Sequence, residues 1–144
     1  QNFCHMIDVH SMLKMCNLKR TPFRVNLLEL FVQTKSSIQT HTIRETFEGR
    51  FNKATIYRAI EAFEKNGLIH KVPDINNLLR YALCRENCVN GSHKHTHSHL
   101  ICNSCRETYC IDQITTPNIP SAIGLKIDYV DLVLNGECFS CQLN

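Results

Sequence analysis

The chain has 144 residues, 43% of them hydrophobic and 20% charged, with nine cysteines and a formal net charge of +3. That length suits one domain or two small ones with a packed core. No apolar run approaches the ~20 residues of a membrane helix and no secretory signal is visible, which argues against a membrane partner. The weak net charge leaves a nucleic-acid partner open, because a modest total can conceal a basic half.

The segment before Cys16 is mixed, and Ile7, Met12, Leu13 and Met15 suggest a short helix. A helix start follows. Thr21 can cap free backbone N–H groups, and Pro22 suits the first helical position. Val25, Leu27, Leu28, Leu30 and Phe31 then give an apolar face up to about Thr34. Ser36 to Gly49 reads as a loop and a second helix, with Ile43 and Phe47 inward. Asn52 can cap a third helix carrying Ile56, Tyr57, Ile60 and Phe63, and Asn66-Gly67 ends it.

Leu68 to Val72 is β-rich, Pro73 to Asn77 makes a turn, and Leu78 to Leu83 is a return strand. Three helices followed by a hairpin is the order of a winged helix-turn-helix, a fold that sets its last helix in the DNA major groove. Beyond Cys84 the composition becomes polar and hinge-like. His97 to Cys102, Glu107 to Ile111 and Lys126 to Leu134 read as strands, and Thr115 to Gly124 leaves room for one short helix. The expected fold class is α+β: a winged helix-turn-helix over residues 1–84, a hinge over 85–96, and a small α/β domain over 97–144 that holds a structural zinc.

The chemistry concentrates between His93 and Cys105. Cys102 and Cys105 form one Cys-x-x-Cys pair, and Cys138 and Cys141 form another. Each pair turns two thiolates toward one point, and four sulfurs are a preferred set for structural zinc. A redox dithiol or two disulfides are the alternatives. The odd cysteine count and the x-x spacing favour metal bonding in a reducing cytoplasm. Zinc there would pin the C-terminal tail and supply folding energy. His93, His95, His97 and His99 alternate, and residues two apart share one face of a strand. His97 and His99 can therefore converge on a second ion. His93 and His95 fall either with them or in the hinge.

With these pieces in place the chain resembles the ferric uptake regulator (Fur) family of bacterial metal-dependent repressors. Leu18-Lys19-x-Thr21-Pro22-x-Arg24, Ala54-Thr55-Ile56-Tyr57-Arg58 with Asn66-Gly67-Leu68-Ile69, His97-x-His99-Leu100-Ile101-Cys102-x-x-Cys105 and Gly136-x-Cys138-x-x-Cys141 carry the resemblance. It implies a homodimer held by the C-terminal dimerisation domain (97–144) that binds a palindromic double-stranded DNA operator. By the same resemblance Lys19, Arg24, Thr55, Tyr57 and Arg58 are the DNA-binding residues. Lys19, Arg20, Arg24, Arg50, Lys53 and Arg58 make the N-terminal half the more basic, as phosphate contact requires.

Iron and peroxide sensors of the family place a His near what is Ser37 here, and a carboxylate near the end of the wing. This chain is instead similar to the zinc-sensing branch, which uses a His or Asp after the recognition helix and a Cys after the second wing strand. His70 and Cys84 supply these, and with His97 and His99 they make the expected regulatory site, with Cys88, His95 and Cys110 as further candidates. Cys110 would complete or compete for that site, or be buried as a small apolar residue. Thiolate with imidazole suits tetrahedral Zn²⁺, whereas Fe²⁺ and Mn²⁺, the alternative regulatory ions, prefer more oxygen. An ion bound between the two halves would favour the DNA-binding pose, a coupling of ~1–3 kcal/mol. A zinc hydrolase or thiol oxidoreductase is the rival class. A hydrolase needs an open zinc position and a general base, and no Glu sits suitably among these histidines.

Overall fold

The computed structural model describes residues 8–84, 97–119, 124–128 and 130–144. The expected hinge, with Cys88, His93 and His95, lies outside them.

The N-terminal half is built on helices whose ends are written in the chain. Helix α1 (Val9–Met15) buries Leu13 completely. Helix α2 (Pro22–Gln33) starts where Thr21 Oγ1 accepts the Arg24 amide at 3.4 Å, and Pro22 has no N–H to leave unpaired. Its Phe23, Leu27, Leu28 and Phe31 are buried at helical spacing. Helix α3 (Thr40–Phe47) turns Ile43 and Phe47 inward. Helix α4 (Lys53–Lys65) is capped by Asn52 Oδ1, which accepts the Thr55 amide at 2.8 Å.

These helices close one core around Phe31, Ile43, Ile60 and Phe63. Phe23 packs edge-on against Phe47 with ring centroids 5.0 Å apart and against Phe51 at 4.7 Å, which fixes α2 on α3. Truncating Phe63 to Ala would cost ~3–5 kcal/mol in so closed a site. Gly67 ends α4 at φ +79°, a left-handed conformation that costs glycine nothing, and the Leu68 amide reaches back to the Phe63 carbonyl at 2.9 Å.

The turn at Gly67 feeds an antiparallel sheet of order β1-β3-β2, made of β1 (Ile38–Gln39), β2 (Ile69–Val72) and β3 (Arg80–Leu83). Strand β1 was not anticipated, because two residues show no alternation. Strand β3 begins at Arg80 rather than Leu78. Leu78 and Leu79 are exposed, and the Leu79 carbonyl accepts the Thr40 amide instead of joining the wing ladder.

The C-terminal half is a sheet of order β5-β4-β6, made of β4 (His97–Cys102), β5 (Thr108–Thr115) and β6 (Val133–Gly136). Strands β4 and β5 are antiparallel, while β4 and β6 are parallel. The strand expected over Lys126 to Leu134 is displaced: residues 124–128 are exposed and irregular, and pairing starts at Val133. The parallel ladder runs only from His99 to Cys102, so β6 has four partners and four residues. A short helix α5 (Phe139–Gln142), also not anticipated, follows Cys138. The fold thus joins an N-terminal helical domain with a three-stranded wing sheet to a C-terminal sheet domain.

Candidate metal centres

The sheet register builds the first centre. Cys102 ends β4 opposite Gly136 of β6, so Cys138 falls beside it two residues later. Cys102 and Cys105 flank a turn closed by the Arg106 amide on the Cys102 carbonyl at 2.9 Å, with Arg106 in the left-handed region at φ +63°. The ligand atoms of Cys102, Cys105, Cys138 and Cys141 all lie within 4.8 Å of one another. The Cys105 and Cys138 sulfurs are 3.9 Å apart, close to the ~3.8 Å separation of two thiolates bound tetrahedrally at 2.3 Å to zinc.

Electrostatics asks for a cation here. The Cys105 amide, then the Cys138 amide, direct N–H dipoles at the Cys102 sulfur and outweigh its burial, bringing its thiol down to about 6. The Cys138 thiol is lowered too, mainly by the Cys141 amide. Cys141, sharing a proton with Cys138 and partly buried, is pushed up to about 12. Four sulfurs this close cannot all ionise unaided, and a divalent ion removes that conflict.

The second centre draws on both halves. His70 is buried on β2. His97 and His99 come from β4, and Cys110 stands directly opposite His99 on β5. The donors of His70, His97, His99 and Cys110 all lie within 4.8 Å of one another. Ring centroids are 5.2 Å apart for His70 and His97, 5.9 Å for His70 and His99, and 4.9 Å for His97 and His99. Register slips between His97 and Ser98, a bulge of the kind that re-aims side chains beside functional sites.

Cys84, expected in the regulatory site, lies against His70. Its sulfur is 3.2 Å from His70 Nδ1, while Cys110 is 3.5 Å from His70 Nε2. The imidazole is therefore held between two thiols, and the compact donor cluster contains Cys110, with Cys84 on the far side of the ring. Hairpin register is the signal that sets Cys110 apart among the further candidates: pairing Ile101 with Thr108 and Leu100 with Tyr109 brings His99 to Cys110.

The residues expected at DNA are at least partly exposed. Lys19, Tyr57 and Arg58 are exposed, and Arg24 and Thr55 are half-buried. The Lys53 ammonium lies 5.8 Å from the Tyr57 ring centroid, a cation–π contact on the outer face of α4. Among the described residues no helix is long and apolar enough to cross a membrane.

A winged-helix half joined to a sheet half, with an all-thiol cluster inside the sheet half and an imidazole–thiol cluster between the two, is the arrangement of a metal-responsive DNA-binding regulator. The chain belongs to the ferric uptake regulator family, whose model matches residues 15–129. It is similar to the ferric uptake regulation protein of Staphylococcus aureus, 28% identical over 139 residues that cover 94% of this chain and 96% of the relative. Among solved structures, a zinc uptake regulator complexed with zinc and DNA superposes with a TM-score of 0.68 at 21% identity, covering 99% of this chain and 97% of that one. The holo form of XcZur gives 0.67 at 20% identity, with coverage of 94% and 97%. The Vibrio cholerae ferric uptake regulator gives 0.57 at 22% identity, with coverage of 90% and 98%. Family members are metal-responsive transcriptional regulators rather than enzymes.

Proposed function

We propose that this chain is a zinc-sensing repressor that binds palindromic operators of metal-uptake genes as a cytoplasmic homodimer when loaded with zinc. The observation that carries the reading is the donor set of the second cluster, His70, His97, His99 and Cys110. Three imidazoles and one thiolate match tetrahedral Zn²⁺, whereas Fe²⁺ and Mn²⁺ take more oxygen donors. Cys84 has the outer position: bonded to His70 Nδ1, it fixes the ring's orientation and tautomer so that Nε2 is the ligating atom. The Cys102, Cys105, Cys138 and Cys141 cluster is the structural zinc site.

With an ion bound, the β2 strand of the wing and the β4–β5 hairpin of the sheet share one set of bonds, and the two halves keep one orientation. Residues 1–84 carry more Lys and Arg than Asp and Glu, while acid exceeds base beyond them, so phosphate contact falls to the N-terminal half. Exposed Ile114, Leu125, Ile127 and Val133 give the C-terminal half apolar surface for a second copy. Residues 1–84 and 97–144 then divide the work of DNA binding and dimerisation, with 85–96 between them.

The test is operator binding titrated with each metal, alongside metal content. The reading expects about two zinc ions per chain and binding that needs zinc. Binding driven by Fe²⁺ or Mn²⁺ but not by Zn²⁺ would reject zinc sensing while leaving the repressor class intact.

A further inference from the structure

Beside the second cluster, but without its donors, the two halves meet at a second junction. Arg80, at the start of β3, is only 4% exposed. Its Nε donates to Asp74 Oδ1 at 2.8 Å, inside the wing. Its Nη1 crosses to the C-terminal half and donates to Glu107 Oε2 at 2.7 Å. The same nitrogen donates to the Ser37 carbonyl at 3.3 Å and hydroxyl at 3.1 Å. Ser37 Oγ donates onward to the Thr108 carbonyl at 2.8 Å, and Thr108 Oγ1 returns a bond to the Pro73 carbonyl at 2.7 Å.

Every strand of the wing sheet takes part. Ser37 precedes β1, Pro73 follows β2 and Arg80 opens β3. Arg80 reaches Glu107, and Ser37 and Pro73 reach Thr108, at the beginning of the strand that carries Cys110. A buried guanidinium is costly unless its donors are matched, and removing one partner of such a pair costs more than the pair itself is worth. Here the matching groups belong to both halves, so drawing the halves apart would strip part of the Arg80 shell.

We propose that this Arg80–Glu107–Ser37–Thr108 clasp is a metal-independent pivot between the winged helix and the C-terminal sheet, and that Arg80 and Glu107 are positioning residues for metal-dependent DNA binding. The inference rests on the zinc-sensing reading above for its functional consequence, and on the clasp geometry alone for its structural one. Thr108 and Cys110 are two residues apart on β5, about 7 Å along the strand. One attachment point leaves a rotation free, and a second one beside it removes that rotation. The clasp keeps His70 near His97, His99 and Cys110 before any ion binds. The sensor site is therefore already gathered from both halves, and affinity is not discounted by a small competent fraction.

Glu107→Gln tests this, because it removes the crossing charge and leaves the Asp74–Arg80 pair in place. Thr108→Val is the second variant, removing the hydroxyl bond to Pro73 at nearly constant volume. Both are compared with the wild-type dimer carrying its structural zinc. The zinc concentration at half-maximal operator binding should rise several-fold in Glu107→Gln, because the amide oxygen still accepts from Arg80 but carries no charge, with maximal binding retained. With the sensor site stripped by a weak chelator, amides of residues 36–39 and 107–109 should exchange with deuterium faster than in wild type. Wild-type midpoints and wild-type exchange in both variants would overturn the pivot. A wild-type protein indifferent to zinc would overturn the zinc reading instead, and the exchange rates would then decide the clasp alone. If circular dichroism shows one variant unfolded, the other decides.

Discussion

The Cys84 sulfur lies 3.2 Å from His70 Nδ1, on the opposite side of the imidazole from Cys110. On the zinc-sensing proposal the two thiols have unequal tasks, and substituting each should tell them apart. Cys110→Ser removes the thiolate ligand and should abolish zinc-dependent operator binding in a protein that still folds. Cys84→Ser removes a group that orients His70, and should weaken sensor-site zinc affinity by ~10–100-fold without abolishing the response. Competition with a chromophoric chelator measures both. Equal losses would mean that both sulfurs ligate.

Cobalt substitution reports the same distinction optically. Co²⁺ at the sensor site should show tetrahedral d–d bands with one thiolate-to-metal charge-transfer feature. Cys110→Ser should remove that feature, and Cys84→Ser should only shift it. The cysteine cluster, with its four sulfurs within 4.8 Å, should give a stronger charge-transfer band that neither variant touches.

Cys102 is wholly buried and receives the Cys138 amide at 3.3 Å, so it ties the end of β4 to the tail. Cys102→Ser should lose the structural zinc and lower the melting temperature of the C-terminal half. α4 should stay helical, because its core of Ile56, Ile60 and Phe63 is built within the N-terminal half. Metal analysis with circular dichroism checks this. Structural zinc retained at full stoichiometry would count against the assignment.

Acid should loosen the wing through Asp74. Burial pushes its carboxyl up, but bonds from Gln39 and Arg80, with the Asn76 and Leu78 amides, outweigh it and bring it from 3.8 down to about 2. A carboxyl whose folded value is depressed contributes stability above its unfolded value, and that contribution is lost as pH falls through the folded one. The stability gap between wild type and Asp74→Asn should thus stay constant above pH ~4 and narrow toward pH ~2. Denaturant titration at several pH values reads it. A gap that widens on acidification would reverse the sign of the account.

Much of this molecule was legible because the relevant signals are local. Thr21-Pro22 and Asn52 start α2 and α4 as expected, and Gly67 stops α4. The Cys-x-x-Cys pairs and the alternating His97 and His99 mark their own positions in the chain. What stayed hidden depends on pairing between distant residues. β1 is only two residues long, and β6 is limited by the length of its partner ladder rather than by its own composition. The placement of Cys110 needs the β4–β5 register, and the clasp needs Arg80 to meet Glu107 across 27 residues. Neither residue type announces that partnership, since most Arg and Glu side chains stay in solvent.

In the proposed repressor one ion joins the two halves through His70, His97, His99 and Cys110. Anomalous diffraction collected on both sides of the zinc edge, from zinc-loaded protein, tests it most directly. The account predicts two peaks per chain, one among Cys102, Cys105, Cys138 and Cys141, the other within bonding distance of His70, His97, His99 and Cys110. A single peak at the cysteine cluster, or a second one that His70 does not touch, would contradict it.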